Sequence, residues 1–161
     1  MHSANGERGT TILEALVAAS LLIGIVSGVA SLIVLTHRFA VRAEQMTVAT
    51  VAASSRLERL RAVPWEYDLA GLERDAPALE ISPPGALEHS VAGFHESLDA
   101  AGRPLAAPLS AEPAYVRRWA IVPLDGVGAF ARAFEVCVFV WPAAGAARPL
   151  VCLATVRTRQ P

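Results

Sequence analysis

No lysine occurs in this chain of 161 residues; all 14 basic side chains are arginine. They face 15 carboxylates, and the formal charge of −1 leaves no positive excess to draw a nucleic acid. We read the exclusive use of arginine as GC-rich coding rather than function. Cysteine occurs only at 137 and 152, and the histidines (His2, His37, His89, His95) are scattered, so neither type offers metal-ligand spacing. There is no glycine-rich phosphate loop, no HExxH and no GxSxG. An enzyme is therefore the least supported class. Its best remaining candidates, Arg117 with Glu135 or Asp125, define no reaction. No cofactor or metal is expected.

Proline is also missing from Thr10 to Val63, so nothing there interrupts a helix. Within that stretch the run "ALVAASLLIGIVSGVASLIVLT", Ala15 to Thr36, carries no charge. Its roughly 22 residues suffice to cross a hydrocarbon core about 30 Å thick. One carboxylate, Glu14, stands at the start of the apolar stretch. A charge near the middle of a membrane span costs on the order of 3 kcal/mol, so Glu14 requires a reason. A cleaved secretory signal would carry a basic leader and a shorter apolar run, whereas "MHSANGERG" holds both Glu7 and Arg8. A plain signal anchor accounts for the length but not for Glu14. A buried core helix would be unusual at this length.

A further reading is a resemblance. "RGTTILEALVAASLL" (Arg8–Leu22) resembles the N-terminus of type IV pilins and pseudopilins. In that family a short hydrophilic leader ends in glycine, a membrane prepilin peptidase cuts after it, and the same enzyme methylates the new N-terminus. A glutamate is then the fifth mature residue, followed by a long apolar helix. The resemblance implies cleavage between Gly9 and Thr10, N-methylation of Thr10, and Glu14 as the carboxylate used in assembly. Thr10 departs from the family's usual phenylalanine. The match covers the leader and the apolar helix. Implied partners are the prepilin peptidase, other pilin or pseudopilin subunits, an inner-membrane assembly platform and, before assembly, the lipid bilayer.

Elementary electrostatics gives Glu14 work under that reading. A free α-amine at Thr10 titrates around pH 8 and is largely positive near neutrality. A carboxylate four residues on can neutralise it within one helix. In a filament it can instead meet the amine of a neighbour, where scarce water strengthens the attraction. Alternatively Glu14 lies at the membrane interface and reaches water. Ser20, Gly24 and Gly28 form a row of small residues at spacing four, suited to close helix packing in lipid. Plain lipid exposure of these glycines fits the same pattern.

Beyond Thr36 helical periodicity continues, with Phe39, Met46, Thr50, Ala53, Leu57 and Leu60 on one stripe. Arg42, Glu44, Arg56, Glu58 and Arg59 fall largely off it and are expected in water. Pro64 ends the pattern. The expectation is one helix of about 54 residues, roughly 80 Å long, apolar all round in its first half and amphipathic in its second. A short coiled coil would show the same stripe. Residues 65–110 read as irregular connection, rich in proline, alanine and glycine, with a short hairpin around "HSVAGFHESLDAAGR".

The clearest strands come last. "YVRRWAIVPL" alternates Val116, Arg118 and Ala120 against Arg117, Trp119 and Ile121. "AFEVCVFVW" and "LVCLATVRT" flank "PAAGAARP" as an antiparallel hairpin. Pairing Cys137 with Cys152 centres that hairpin between Ala144 and Gly145, in mid-loop. A disulfide is then geometrically reasonable in an oxidising compartment. Two free buried thiols fit the same positions. Strand packing accounts for Arg117, Arg118 and Trp119, as does contact with an adjacent subunit or cargo. An arginine-tryptophan strand before a final strand pair is also similar to minor pilins and minor pseudopilins, a looser likeness than the first.

The expected fold is α+β and pilin-like: leader 1–9, membrane or filament-core helix 10–36, amphipathic helix 37–63 and a periplasmic head 64–161 with an antiparallel sheet. The expected function is structural, with localisation in the inner membrane and then in a filament. The alternative is a membrane-anchored periplasmic binding module that never polymerises.

Overall fold

The computed structural model describes residues 7–64, 66–67, 73–74, 79–106, 112–124, 131–143 and 147–158. Helix α1 runs Glu7–Ala62. After it come strands β1 (Glu66–Tyr67), β2 (Glu73–Arg74), β3 (His95–Leu98), β4 (Tyr115–Pro123), β5 (Ala131–Val140) and β6 (Val151–Thr158). The chain divides into two units, Met1–Ala43 and Glu44–Pro161. One long helix and a small four-stranded antiparallel sheet make the fold α+β with a pilin-like layout.

Among the described residues the apolar side chains of the first unit are exposed. Every large hydrophobic residue from Ile12 to Leu35 is 50–66% exposed, on all sides of the helix. This helix is long and apolar enough to cross a membrane. Three of its hydroxyls are satisfied within the helix. Ser20 donates to the Leu16 carbonyl, Ser31 to that of Ser27 at 2.9 Å, and Thr36 to that of Leu32 at 2.9 Å. Such back-bonding keeps these three donors paired in a medium without water.

In the second unit the helix lays Ala49, Ala52, Ala53, Leu57 and Leu60 against one face of the sheet, where Tyr115, Trp119, Ile121, Phe134, Val136 and Val138 meet them. Three alanines in the contact let the backbone of α1 approach closely. The expected stripe is therefore out of phase with the observed one. Phe39 (64% exposed), Met46 and Thr50 lie outside the buried face, whereas Ala53, Leu57 and Leu60 lie in it. A periodicity count weights large apolar residues, but packing against a flat sheet favours small ones. Pro64 follows the helix end as expected, and Arg157 closes that end by donating to the Val63 carbonyl at 2.6 Å.

The main sheet has the order β3-β4-β5-β6, antiparallel throughout. Strand β5 is buried on both faces over most of its length, as its run of Phe134, Val136, Cys137, Val138 and Phe139 demands. Strand β6 alternates half-buried and exposed residues. The β5–β6 register pairs Cys137 with Cys152, a pairing that alternation allows. The hairpin centre at 144–145 lies outside the described residues.

Residues 65–110 hold more order than expected. Strands β1 and β2 pair antiparallel, and β3 joins the main sheet through His95↔Arg118 to Leu98↔Tyr115. Of the expected hairpin only a single bridge, Leu98↔Pro104, forms. The Asp99 carboxylate caps the intervening turn, accepting from the amides of Ala101 (2.9 Å) and Arg103 (2.8 Å). These bonds, first that from the Arg103 amide, hold Asp99 below the usual carboxylate range. Gly102 has φ of 76°, and a Cβ there would stand 3.0 Å from Val48 Cγ1, so the turn tip rests directly on α1.

Enlarging the alanine face should therefore be costly. We expect Ala53→Leu to destabilise the head by about 2 kcal/mol through overpacking, and Thr50→Leu, on the open side, to change stability by under about 0.5 kcal/mol. Thermal melts of the full chain in detergent micelles, followed by near-UV circular dichroism, check both.

Candidate functional site

The residues marked out at the N-terminus lie on one continuous helix. Residues 1–6 of the expected leader lie outside the described residues, and α1 begins at Glu7, ahead of the expected first mature residue. The Gly9–Thr10 bond therefore falls in its first helical turn. Glu14 follows Thr10 by four residues, about one turn of helix, and its side chain is exposed. Ser20, Gly24 and Gly28 are exposed too, and a Cβ on either glycine would meet nothing within 4 Å. Among the described residues nothing needs those glycines to be small.

The head presents a different arrangement, built on the pair Arg117-Arg118 of β4. Successive strand residues point to opposite faces. Each arginine is 1% exposed, so each carries its charge into the interior on its own side of the sheet. On the helix side Arg117 donates to the Ala52 carbonyl, to Ser55 Oγ at 3.2 Å, and to the Glu96 carboxylate in a salt bridge. On the far side Arg118 donates to the carbonyls of Glu88 (2.8 Å), Leu87 (3.3 Å) and Ala143 (2.6 Å) and to Ser90 Oγ (3.3 Å). Its guanidinium also stacks on Phe139, 4.8 Å from the ring centroid. Burial pulls the Arg118 pKa below the usual arginine value. Arg132, also buried, donates to the Leu79 carbonyl.

Arg56 was expected in water and is not there. It is half-buried, with its guanidinium 3.8 Å from the Trp119 ring centroid. Desolvation is the largest cause lowering its pKa, opposed by Glu96 and reinforced by Arg117 and Arg59. Trp119 in turn lies tilted against Phe94 at 6.5 Å. The strand YVRRW thus serves packing on both faces, and its partners Ser55, Arg56, Glu96 and Ser90 escaped sequence reasoning. One signal was available: adjacent arginines on a strand must be satisfied on two different faces.

Cys137 and Cys152 form a disulfide with Cα atoms 4.1 Å apart. Glu135 lies beside it, close enough for the three side chains to suggest a metal site. Both sulfurs are consumed by the disulfide, so this set cannot ligate a metal as thiolates. Of the side chains considered for chemistry, Arg117 is engaged by Glu96 on the helix face. Glu135 sits at the alternate parity with Cys137 on the other face, and Asp125 lies outside the described residues. The structure does not bring Arg117 and Glu135 together. No protein-family model, characterised protein or solved structure matches this chain.

The buried and exposed ion pairs should separate sharply. Glu96→Ala leaves the Arg117 charge uncompensated and should cost about 3 kcal/mol. Glu58→Ala breaks the exposed pair with Arg61 (3.1 Å) and should cost under about 1 kcal/mol. Equal melting temperatures for the two variants would contradict the central place given to Arg117.

Proposed function

We propose that this chain is a minor subunit, a minor pilin or minor pseudopilin, of a type IV pilus or of a type II secretion pseudopilus. The observation carrying this reading is the order of residues along the start of α1. Arg8-Gly9 is followed by Thr10, by Glu14 about one turn on, and by an apolar helix whose large side chains are exposed among the described residues. Such a helix requires lipid or other helices around it. Water is scarce in both settings, and in both Glu14 needs a cation. Before assembly the cation is the chain's own Thr10 amine; in a filament it is the amine of a neighbouring subunit.

Under this reading a prepilin peptidase removes residues 1–9 and methylates Thr10. The helix crosses the inner membrane with the head in the periplasm, an oxidising compartment suited to the Cys137–Cys152 bond. The assembly platform then moves the helix from bilayer to filament. The chain's work is structural: priming, capping or decorating a filament used in adhesion, motility, DNA uptake or secretion. The chemistry belongs to the peptidase and the assembly ATPase. A buried network of arginines holding a small head is what a rigid building block needs, and it supports this reading over a catalytic one.

Intact mass and N-terminal sequencing of the chain, produced with and without a prepilin peptidase, test the proposal. We expect a cut after Gly9 only with the peptidase and none in Gly9→Ala. Glu14→Ala should still be cut but should enter filaments at least about tenfold less, given the cost of an unpaired amine in lipid. A chain that still begins at Met1, beside an efficiently cut control substrate, leaves an anchored module that does not polymerise.

A further inference from the structure

One row of side chains crosses all four strands on the face of the sheet away from α1. The ladders pair His95 with Arg118, Arg118 with Cys137, and Cys137 with Cys152. Residues directly opposite each other in antiparallel strands share a face, so these four stand side by side. Glu135, two residues before Cys137 on β5, stands in the next row between Ala120 and Ala154.

The two sulfurs of the row differ in access. Cys137 is 3% exposed and packs with Val116 and Phe139 beneath Leu87, Ala143 and Ala147. Cys152, on β6, is exposed. Exchange of a disulfide requires an attacking thiolate to touch one of its sulfurs, so access decides which one is attacked. A thiolate from outside meets Cys152 first.

Charge separates the two sulfurs in the same sense. Arg117 has a carboxylate, that of Glu96, as its partner. Arg118 has neutral oxygens: the carbonyls of Leu87, Glu88 and Ala143, and Ser90 Oγ. Among the described residues its Nε is buried without an acceptor. A buried cation is stabilised by an anion beside it, and a neutral disulfide is not one. A thiolate on Cys137, directly across the ladder from Arg118, is.

The other titratable groups near the row are Glu135, His95, Glu88 and Arg148. Glu135 has Oε1 3.9 Å from Cys137 Sγ and opposes a thiolate there, but it is only half-buried, and water screens it in part. The Nδ1 of His95 is engaged by the Val91 carbonyl at 2.7 Å. Glu88 turns back over Gly85, where a Cβ would stand 3.1 Å from its Oε2, and Arg148 is exposed. Strand β6 adds no charge to this face, which carries Cys152, Ala154, Val156 and Thr158.

We propose that the Cys137–Cys152 bond exchanges with outside thiols at Cys152, with Cys137 as the leaving sulfur. A donor thiolate forms a bond to Cys152 Sγ, and the Cys137–Cys152 bond breaks with its electron pair on Cys137, beside Arg118. The second thiol of the same donor, as thiolate, then attacks the donor sulfur held by Cys152. Cys152 departs as a thiolate that takes a proton from water, and the donor ends as a disulfide. The partner class is therefore a dithiol, and a monothiol stops at the mixed disulfide on Cys152. In reverse, a donor disulfide is taken up at Cys152 and Cys137 resolves it, forming the bond. This chemistry needs only the folded head and is independent of the filament reading.

The test uses the full chain in detergent micelles, with near-UV circular dichroism reporting that the head is folded. Brief exposure to limiting 2-mercaptoethanol, an acid quench and peptide mapping by mass locate the adduct. We expect it on Cys152 at least about tenfold more than on Cys137. An adduct on Cys137, or equal amounts on both, overturns the proposal. In Cys152→Ser the remaining Cys137 thiol, followed by its thiolate absorbance, should titrate below the usual value of about 8.5, although burial by itself would raise it. A midpoint at or above that value overturns Arg118 as the stabiliser of the leaving sulfur. A thioredoxin-type CxxC protein with its second cysteine replaced by serine, compared with 2-mercaptoethanol at equal thiolate concentration, identifies the source of the dithiol. Faster capture by that protein at Cys152 assigns a protein surface, and slower capture assigns a small molecule.

Discussion

Two adjacent arginines at the centre of the sheet set the terms for everything around them. A strand cannot send consecutive side chains to the same face, so Arg117 and Arg118 enter opposite layers, and each is almost wholly buried. A buried guanidinium without partners is far costlier than a buried methylene. Each layer must therefore bring oxygen atoms to its arginine. On one side these come from α1 (Ala52, Ser55) and from Glu96 on β3; on the other they come from Leu87, Glu88, Ser90 and Ala143. The connection after α1 is thereby tied to the back of the sheet, and α1 to its front.

The same helix serves two settings. In the head, small residues at 49, 52 and 53 let α1 lie close to the sheet, and the Gly102 turn rests on it. Toward the N-terminus the helix is apolar on every side, with hydroxyls paired to its own carbonyls. A soluble protein would cover such a surface. Under the proposed function lipid covers it first and neighbouring helices afterwards, and Glu14 travels between the two settings.

Much of this was legible before any coordinates. The apolar helix, its end before Pro64 and the three long strands follow from period and alternation, which are properties of the chain read locally and which also allow the observed β5–β6 register. The phase of the amphipathic stripe did not follow. Phe39 and Met46 satisfy a helical period as well as Ala49 and Ala52 do, and only the presence of a sheet decides which face is covered. Arg56 looked solvated for the same reason: its resting place is Trp119, distant in sequence. Strands β1 and β2 were hidden because two-residue elements have too few positions to display a period, whereas β3 was expected as part of a hairpin and not as a strand of the main sheet.

Local order in the chain thus fixed the membrane-length helix and the placement of Glu14 after Gly9 and Thr10, and it allowed the two cysteines to stand as cross-strand neighbours. These depend on spacing within one segment, where backbone geometry converts residue number directly into direction. The partners of Arg117 and Arg118, the alanine face of α1, and the hold of Ser82 on the edge of β4 were decided by the tertiary structure. Each depends on which distant segments occupy the same layer, and that is set by the need to satisfy buried charge and fill volume across the whole head rather than by any one stretch of sequence.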